Sequence, residues 1–120
     1  MALVLNTRKV NGHIILEASG RIEYGEASMQ LRDLARRLTS DGGRHFILNL
    51  GDVSYIDSSG LGELVSAYTT VRNKQGDVKL LNLTTKAKDL LQMTKLLTVF
   101  DVYDDEAKAI AALKAKITSA

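Results

Sequence analysis

The side chains best suited to chemistry in this 120-residue chain lie together in one segment, Asp57-Ser58-Ser59-Gly60-Leu61-Gly62. The segment joins a predicted loop to a predicted helix. Asp and Ser are favoured at helix starts because their oxygens accept hydrogen bonds from unpaired N–H groups, so capping is the simplest explanation. Three features favour a further function, and the first is that the segment follows the most apolar predicted strand, since sites in open α/β sheets lie beyond the carboxyl ends of strands. One cap does not need a second serine, and Gly60 and Gly62 leave little bulk against a large partner.

A serine between a strand and a helix is also typical of hydrolase nucleophiles, but the Gly-x-Ser-x-Gly pattern is absent. The histidines are poorly placed to act as its base, because His13 follows a predicted turn and His45 starts a predicted strand. The phosphate-binding pattern Gly-x-x-x-x-Gly-Lys-Ser/Thr is absent as well. We therefore expect that this protein is not an enzyme.

Accepting a phosphoryl group is the serine chemistry that this position favours. A phosphate at a helix N-terminus meets free N–H groups and the positive end of the helix dipole, so the fold need not be disrupted. The same group adds about −1.5 to −2 charges to a formerly neutral surface. If that surface binds a partner, phosphorylation would block the complex through repulsion and desolvation.

The composition excludes several other functions. The net charge is only +2, and basic residues alternate with acidic ones on predicted helix surfaces, so no nucleic-acid partner is predicted. The chain has no cysteine and only two distant histidines, so neither a metal site nor any other cofactor is predicted. No apolar run reaches membrane-spanning length, and the N-terminus does not resemble a signal peptide. We expect a cytoplasmic protein without direct membrane contact.

The first half of the chain predicts a hairpin, a helix and a buried strand. Residues 3–10 and 13–19 are expected to pair through an Asn11-Gly12 turn, with one face of the second strand more buried than the other. An amphipathic helix is predicted over about 25–39, ended by Asp41-Gly42-Gly43. Residues 46–50 read as a strand buried on both faces, followed by a loop over 51–56.

The second half predicts a helix over about 59–74, a strand over 78–83, and a helix over about 85–94 capped by Thr84. A short strand over 100–102 follows, and Asp104 is expected to cap a last helix. The inward face of that helix is predicted to hold Ala107, Ile110, Leu113 and Ile117, and Met29 and Met93 are expected to pack in or near the core. The order β-β-α-β-α-β-α-β-α over residues 1–120 predicts a single α/β domain with a mixed, mostly parallel sheet and flanking helices.

These features resemble the STAS family, specifically the bacterial anti-sigma factor antagonists. The resemblance spans the element order, the segment from Phe46 to Gly62 and the ending Phe100-Asp101-Val102-Tyr103-Asp104-Asp105-Glu106-Ala107. It implies that the unphosphorylated protein binds an anti-sigma factor that is also a serine kinase with an ATP-binding fold, which frees a sigma factor. A serine phosphatase would reset the switch.

Carried over residue by residue, the resemblance implies that Ser58 is the phosphoacceptor. It also implies a partner-binding surface, whose expected members are Asp52, Ser54, Asp57, Ser59, Gly60, Gly62 and Glu23. This chain departs from the family pattern in having Glu23 in place of an aspartate and Lys95 in place of a glycine after the third helix. The alternative prediction is a STAS scaffold or a transport-associated interaction module.

Overall fold

The computed structural model describes the backbone of residues 2–119 and the side chains up to residue 113. The strands are β1 (Val4–Val10), β2 (His13–Ile22), β3 (His45–Ile56), β4 (Asp77–Leu81) and β5 (Asp101–Tyr103). The helices are α1 (Glu26–Ser40), α2 (Ser58–Asn73), α3 (Thr85–Met93) and α4 (Glu106–Ser119). The predicted order of elements is confirmed.

The described strands form one mixed sheet in the order β1-β2-β3-β4-β5. β1 and β2 pair antiparallel through the predicted Asn11-Gly12 turn, in which both residues have positive φ. Every other pair is parallel. The predicted mixed, mostly parallel α/β fold is therefore confirmed.

Alternate residues of the central strands face two separate cores. Leu16, Leu48 and Leu80 pack on the side that holds α1, α2 and α3, whereas Ile15 and Ile47 pack against α4. The prediction that one face of β2 is more buried than the other is confirmed, because Ile14, Leu16 and Ala18 are all buried whereas Glu17 on the other face is half-buried. Ile15 on that second face is nonetheless fully buried beneath α4. Both faces are covered, as is usual for strands inside a parallel sheet.

The largest difference from the sequence prediction is the length of β3. Residues 51–56 do not form a loop but continue the strand, because β2 extends to Ile22 and pairs with β3 as far as Ile56. The register shifts between Glu17 and Ser19 and again between Gly20 and Arg21. The long strand carries the chain directly to the start of α2.

Other differences are local. Asp105, not Asp104, caps α4, since its Oδ1 accepts the Lys108 amide at 3.1 Å. Ala107 is exposed and Ala109 is buried instead, while the side chain predicted inward at 117 lies outside the described residues. The prediction of packed methionines is also wrong: the side chains of Met29 and Met93 are 55% and 81% exposed. None of the helices, over the residues described, combines the length and hydropathy needed to cross a membrane.

Candidate functional site

Ser58 is the first residue of α2, and its side chain is exposed. The helix is capped by the preceding residue, Asp57, whose extended backbone and carboxylate position suit a cap. Asp57 Oδ1 accepts the Gly60 amide at 2.8 Å, and Oδ2 accepts the Tyr24 amide at 2.9 Å. Capping is thus carried out by the aspartate, and neither serine hydroxyl is needed for it.

The backbone around Asp57 favours its ionised form. Partial burial would by itself raise the pKa of Asp57, but hydrogen bonds from the amides of Gly60, Tyr24 and Ser59 outweigh burial and lower the pKa below its ordinary value. A negative charge at this position also suits the positive end of the α2 dipole. The helix start therefore already holds one stabilised anion beside the Ser58 hydroxyl.

The two serines differ in their surroundings. Ser59 is half-buried and lines a shallow groove between α1 and α2 together with Tyr24, Met29 and Arg32. Across that groove Arg32 donates two hydrogen bonds to Glu63, at 3.0 and 2.7 Å. The Arg32 guanidinium lowers the pKa of Glu63 and keeps it ionised. Ser58 is the more accessible hydroxyl.

The two glycines of the segment also differ. A Cβ built on Gly60 would lie 2.2 Å from the carbonyl oxygen of Ile22, so this glycine allows α2 to approach the end of β2. Gly62 is exposed, and a Cβ there would meet no atom within 4 Å. Only Gly62 leaves open space at the surface.

The structure gathers some, though not all, of the other predicted partner-binding residues near Ser58. Glu23 immediately precedes Tyr24, and Ser54 donates its hydroxyl to the Gly20 carbonyl at 3.2 Å near the end of β2. Asp52 is exposed, but it lies four residues before the end of β3, about 13 Å along an extended strand. It flanks the site at a distance.

The STAS domain family matches residues 4–109, which covers most of the chain. The chain belongs to the STAS family. Two relatives are similar over nearly their whole length. The anti-sigma F factor antagonist of Paenibacillus polymyxa is 25% identical over 95% of this chain and 97% of its own. The anti-sigma-B factor antagonist of Bacillus subtilis is 30% identical over 85% of this chain and 92% of its own.

Solved structures show the same STAS fold. An anti-sigma factor antagonist from Mycobacterium paratuberculosis superposes with a TM-score of 0.81 at 18% identity, covering 94% of this chain and 95% of that one. The Bacillus cell fate determinant SpoIIAA in its phosphorylated form superposes with a TM-score of 0.73 at 20% identity, covering 91% of this chain and 98% of that one. The predicted family and fold are confirmed by these matches.

The structure also explains one departure from the STAS pattern. Lys95 follows α3 with a φ of 62°, a left-handed conformation that glycine adopts more readily. Its amide donates to the Gln92 carbonyl at 3.1 Å, so the turn that ends α3 still forms. The lysine therefore keeps the helix end of this STAS domain and adds a positive charge there.

Sequence reasoning missed the exposed aromatic and apolar side chains of this STAS surface. Tyr24 is 81% exposed next to the Asp57 carboxylate, and Tyr55 is 40% exposed near the end of β3. Tyr55 lies in the segment predicted as a loop, and a loop has no alternation of side chains from which its exposure could be predicted.

Among the described residues, no group of three or more His, Cys, Asp or Glu side chains is arranged to hold a metal ion.

Proposed function

We propose that this STAS protein is an anti-sigma factor antagonist controlled by phosphorylation of Ser58. The unphosphorylated protein binds an anti-sigma factor that is also a serine kinase, and a sigma factor is thereby released. The kinase transfers the γ-phosphoryl group of ATP to the Ser58 hydroxyl, leaving ADP, and a serine phosphatase hydrolyses the phosphate. The protein itself is a substrate and binding partner in this cycle, not a catalyst.

The observation that carries the proposal is the exposed Ser58 hydroxyl at the first position of a helix that another residue caps. Because Asp57 makes the cap, a phosphate on Ser58 breaks no hydrogen bond of the helix start. The positive end of the α2 dipole favours the added charge. The modification therefore changes the surface while leaving the fold intact.

The similarity to anti-sigma factor antagonists of two bacteria supports the proposed partner class. The fold match to a protein solved in a phosphorylated form supports the compatibility of this fold with phosphorylation. The half-buried position of Ser59, beside the Arg32–Glu63 ion pair, favours Ser58 over its neighbour as the acceptor.

Mass spectrometry tests the acceptor. The purified protein is incubated with ATP and the anti-sigma-type serine kinase of the same organism, and the modified residue is located in the peptide that spans α2. We expect one phosphate on Ser58, none in Ser58→Ala, and normal modification of the matched variant Ser59→Ala. A phosphate on Ser59 of the wild-type protein would contradict the assignment. The absence of any phosphate after incubation with every kinase of this type would contradict it as well.

Calorimetry tests the switch. We expect Ser58→Ala to bind the kinase as tightly as the wild-type protein does. Ser58→Asp should bind at least about tenfold more weakly, because a like-charge contact at an interface costs up to several kcal/mol. Equal affinities of the two variants would contradict control by charge. A large assembly of the purified protein in size-exclusion chromatography would favour the scaffold alternative.

A further inference from the structure

Three side chains form a connected cluster at the ends of β2 and β3, and we refer to Arg21, Tyr55 and Glu23 as the Arg21 cluster. The guanidinium carbon of Arg21 lies 4.1 Å from the centroid of the Tyr55 ring. Arg21 Nε donates to Glu23 Oε2 at 3.1 Å, and Nη2 lies 3.1 Å from the same oxygen. Arg21 and Tyr55 are also register partners on the paired strands. The guanidinium is therefore held by a ring beneath it and a carboxylate beside it.

The Arg21 cluster lies beside the backbone that leads to Ser58. Ile22, the residue after Arg21, accepts the Asp57 amide at 3.2 Å. Tyr24, the residue after Glu23, donates its amide to the Asp57 carboxylate. The chain neighbours of Arg21 and Glu23 are thus hydrogen-bonded to Asp57, so the cluster lies at the same end of the sheet as Ser58.

Glu23 alone would present a negative charge at this surface, but in the cluster that charge is paired with the positive charge of Arg21. The carboxylate of Glu23 is already paired with Arg21, so it is not a free anion at the surface. Arg21 keeps a second terminal nitrogen, Nη1, for which the described residues supply no acceptor, and its side chain is 38% exposed. A planar guanidinium with spare N–H groups is suited to receive a carboxylate.

We propose that Arg21 is a specificity-determining contact of the Ser58 surface and receives an acidic side chain of the anti-sigma factor kinase. Tyr55 and Glu23 act as positioning residues that hold the guanidinium in place. This inference rests on the proposed function, because it assigns a contact to the same partner.

Calorimetry with the unphosphorylated protein and the kinase that modifies Ser58 tests the contact. We expect Arg21→Glu to weaken binding at least about tenfold, because it sets two acidic groups against each other. The affinity of Arg21→Lys should lie between those of the wild-type protein and Arg21→Glu, since an ammonium keeps the charge but lacks the planar fork of a guanidinium. Arg37→Glu makes the same charge change on the exposed last turn of α1 and should bind like the wild-type protein. The loss in Arg21→Glu should diminish at high salt if the contact is ionic.

A second measurement identifies the partner group. An acidic residue of the kinase exchanged for lysine should restore most of the affinity for Arg21→Glu and weaken binding to the wild-type protein. If circular dichroism shows that Arg21→Glu is not folded, Arg21→Gln replaces it in the binding experiment, because it removes the charge without reversing it. Arg21 variants that bind and are phosphorylated on Ser58 like the wild-type protein would overturn this inference and leave the switch standing. A wild-type protein that neither binds the kinase nor is phosphorylated would overturn both.

Discussion

Asp57 Oδ2 accepts a hydrogen bond from the Tyr24 amide at 2.9 Å, while Oδ1 of the same carboxylate caps α2. The two residues are 33 positions apart in the sequence, so one side chain fastens the segment after β2 to the start of the helix that carries Ser58. This link makes Asp57 a structural residue of the site, whatever contact it also makes with a partner.

Removing the Asp57 carboxylate should destabilise the protein by about 1–2 kcal/mol, because Asp57→Ala loses a helix cap and the bond to Tyr24. Urea denaturation measures the free energy of unfolding. Thr84→Ala is the matched control, since it removes only the cap of α3, in which the Thr84 hydroxyl accepts the Ala87 amide. A smaller effect for Asp57→Ala than for Thr84→Ala would contradict the double role.

The contribution of Asp57 should depend on pH. Its pKa is lower in the folded protein than in the unfolded chain, so the stabilisation is fully present above the unfolded value of about 3.9. It is lost as the pH falls through the lower, folded pKa. The difference in unfolding free energy between the wild-type protein and Asp57→Asn should therefore shrink as the pH falls from 5 toward about 2. A difference that stays constant over this range would disprove the ionic contribution.

The two glycines of α2 should respond in opposite directions to alanine. Gly60→Ala places a Cβ 2.2 Å from the Ile22 carbonyl oxygen and should cost about 1–3 kcal/mol through overpacking. Gly62→Ala meets open space and should stabilise the helix by about 0.5–1 kcal/mol. Thermal unfolding followed by circular dichroism measures both. Equal melting temperatures for the two variants would contradict the described packing of α2 on β2.

Lys79 is a buried cation whose loss should be costly. Burial would lower its pKa, but hydrogen bonds to Asp101 at 2.5 Å and Asp77 at 2.9 Å outweigh burial and raise the pKa. Lys79→Ala removes the ammonium from Asp77, which keeps the Arg72 guanidinium 3.7 Å away, and should cost about 1.5–3 kcal/mol in urea denaturation. Arg8→Ala, which breaks an exposed ion pair with Glu17, should cost no more than about 1 kcal/mol. A ranking in the reverse order would show that the buried pair is dispensable.

How far local sequence signals predicted the site is clearest at the start of α2. The Asn11-Gly12 turn, the apolar strand over 46–50 and the Asp-Ser helix start could all be predicted from the sequence, because each depends on residues within a few positions of one another. Which glycine leaves open surface was not visible, because Gly60 is distinguished from Gly62 only by the distant Ile22 carbonyl. The same holds for Arg21 and Tyr55, whose contact depends on the register of two strands.

The sequence by itself determined the order of strands and helices, the hairpin turn and the placement of a hydroxyl at a helix start, since periodicity, turn residues and caps act locally. Only the tertiary structure decided that β3 runs on to Ile56, that Asp57 rather than a serine caps α2, and that Lys79 is buried. Each of these depends on strand pairing or packing between residues far apart in the chain. Local preferences do not specify such contacts, because the free energy that selects them arises when the whole sheet assembles.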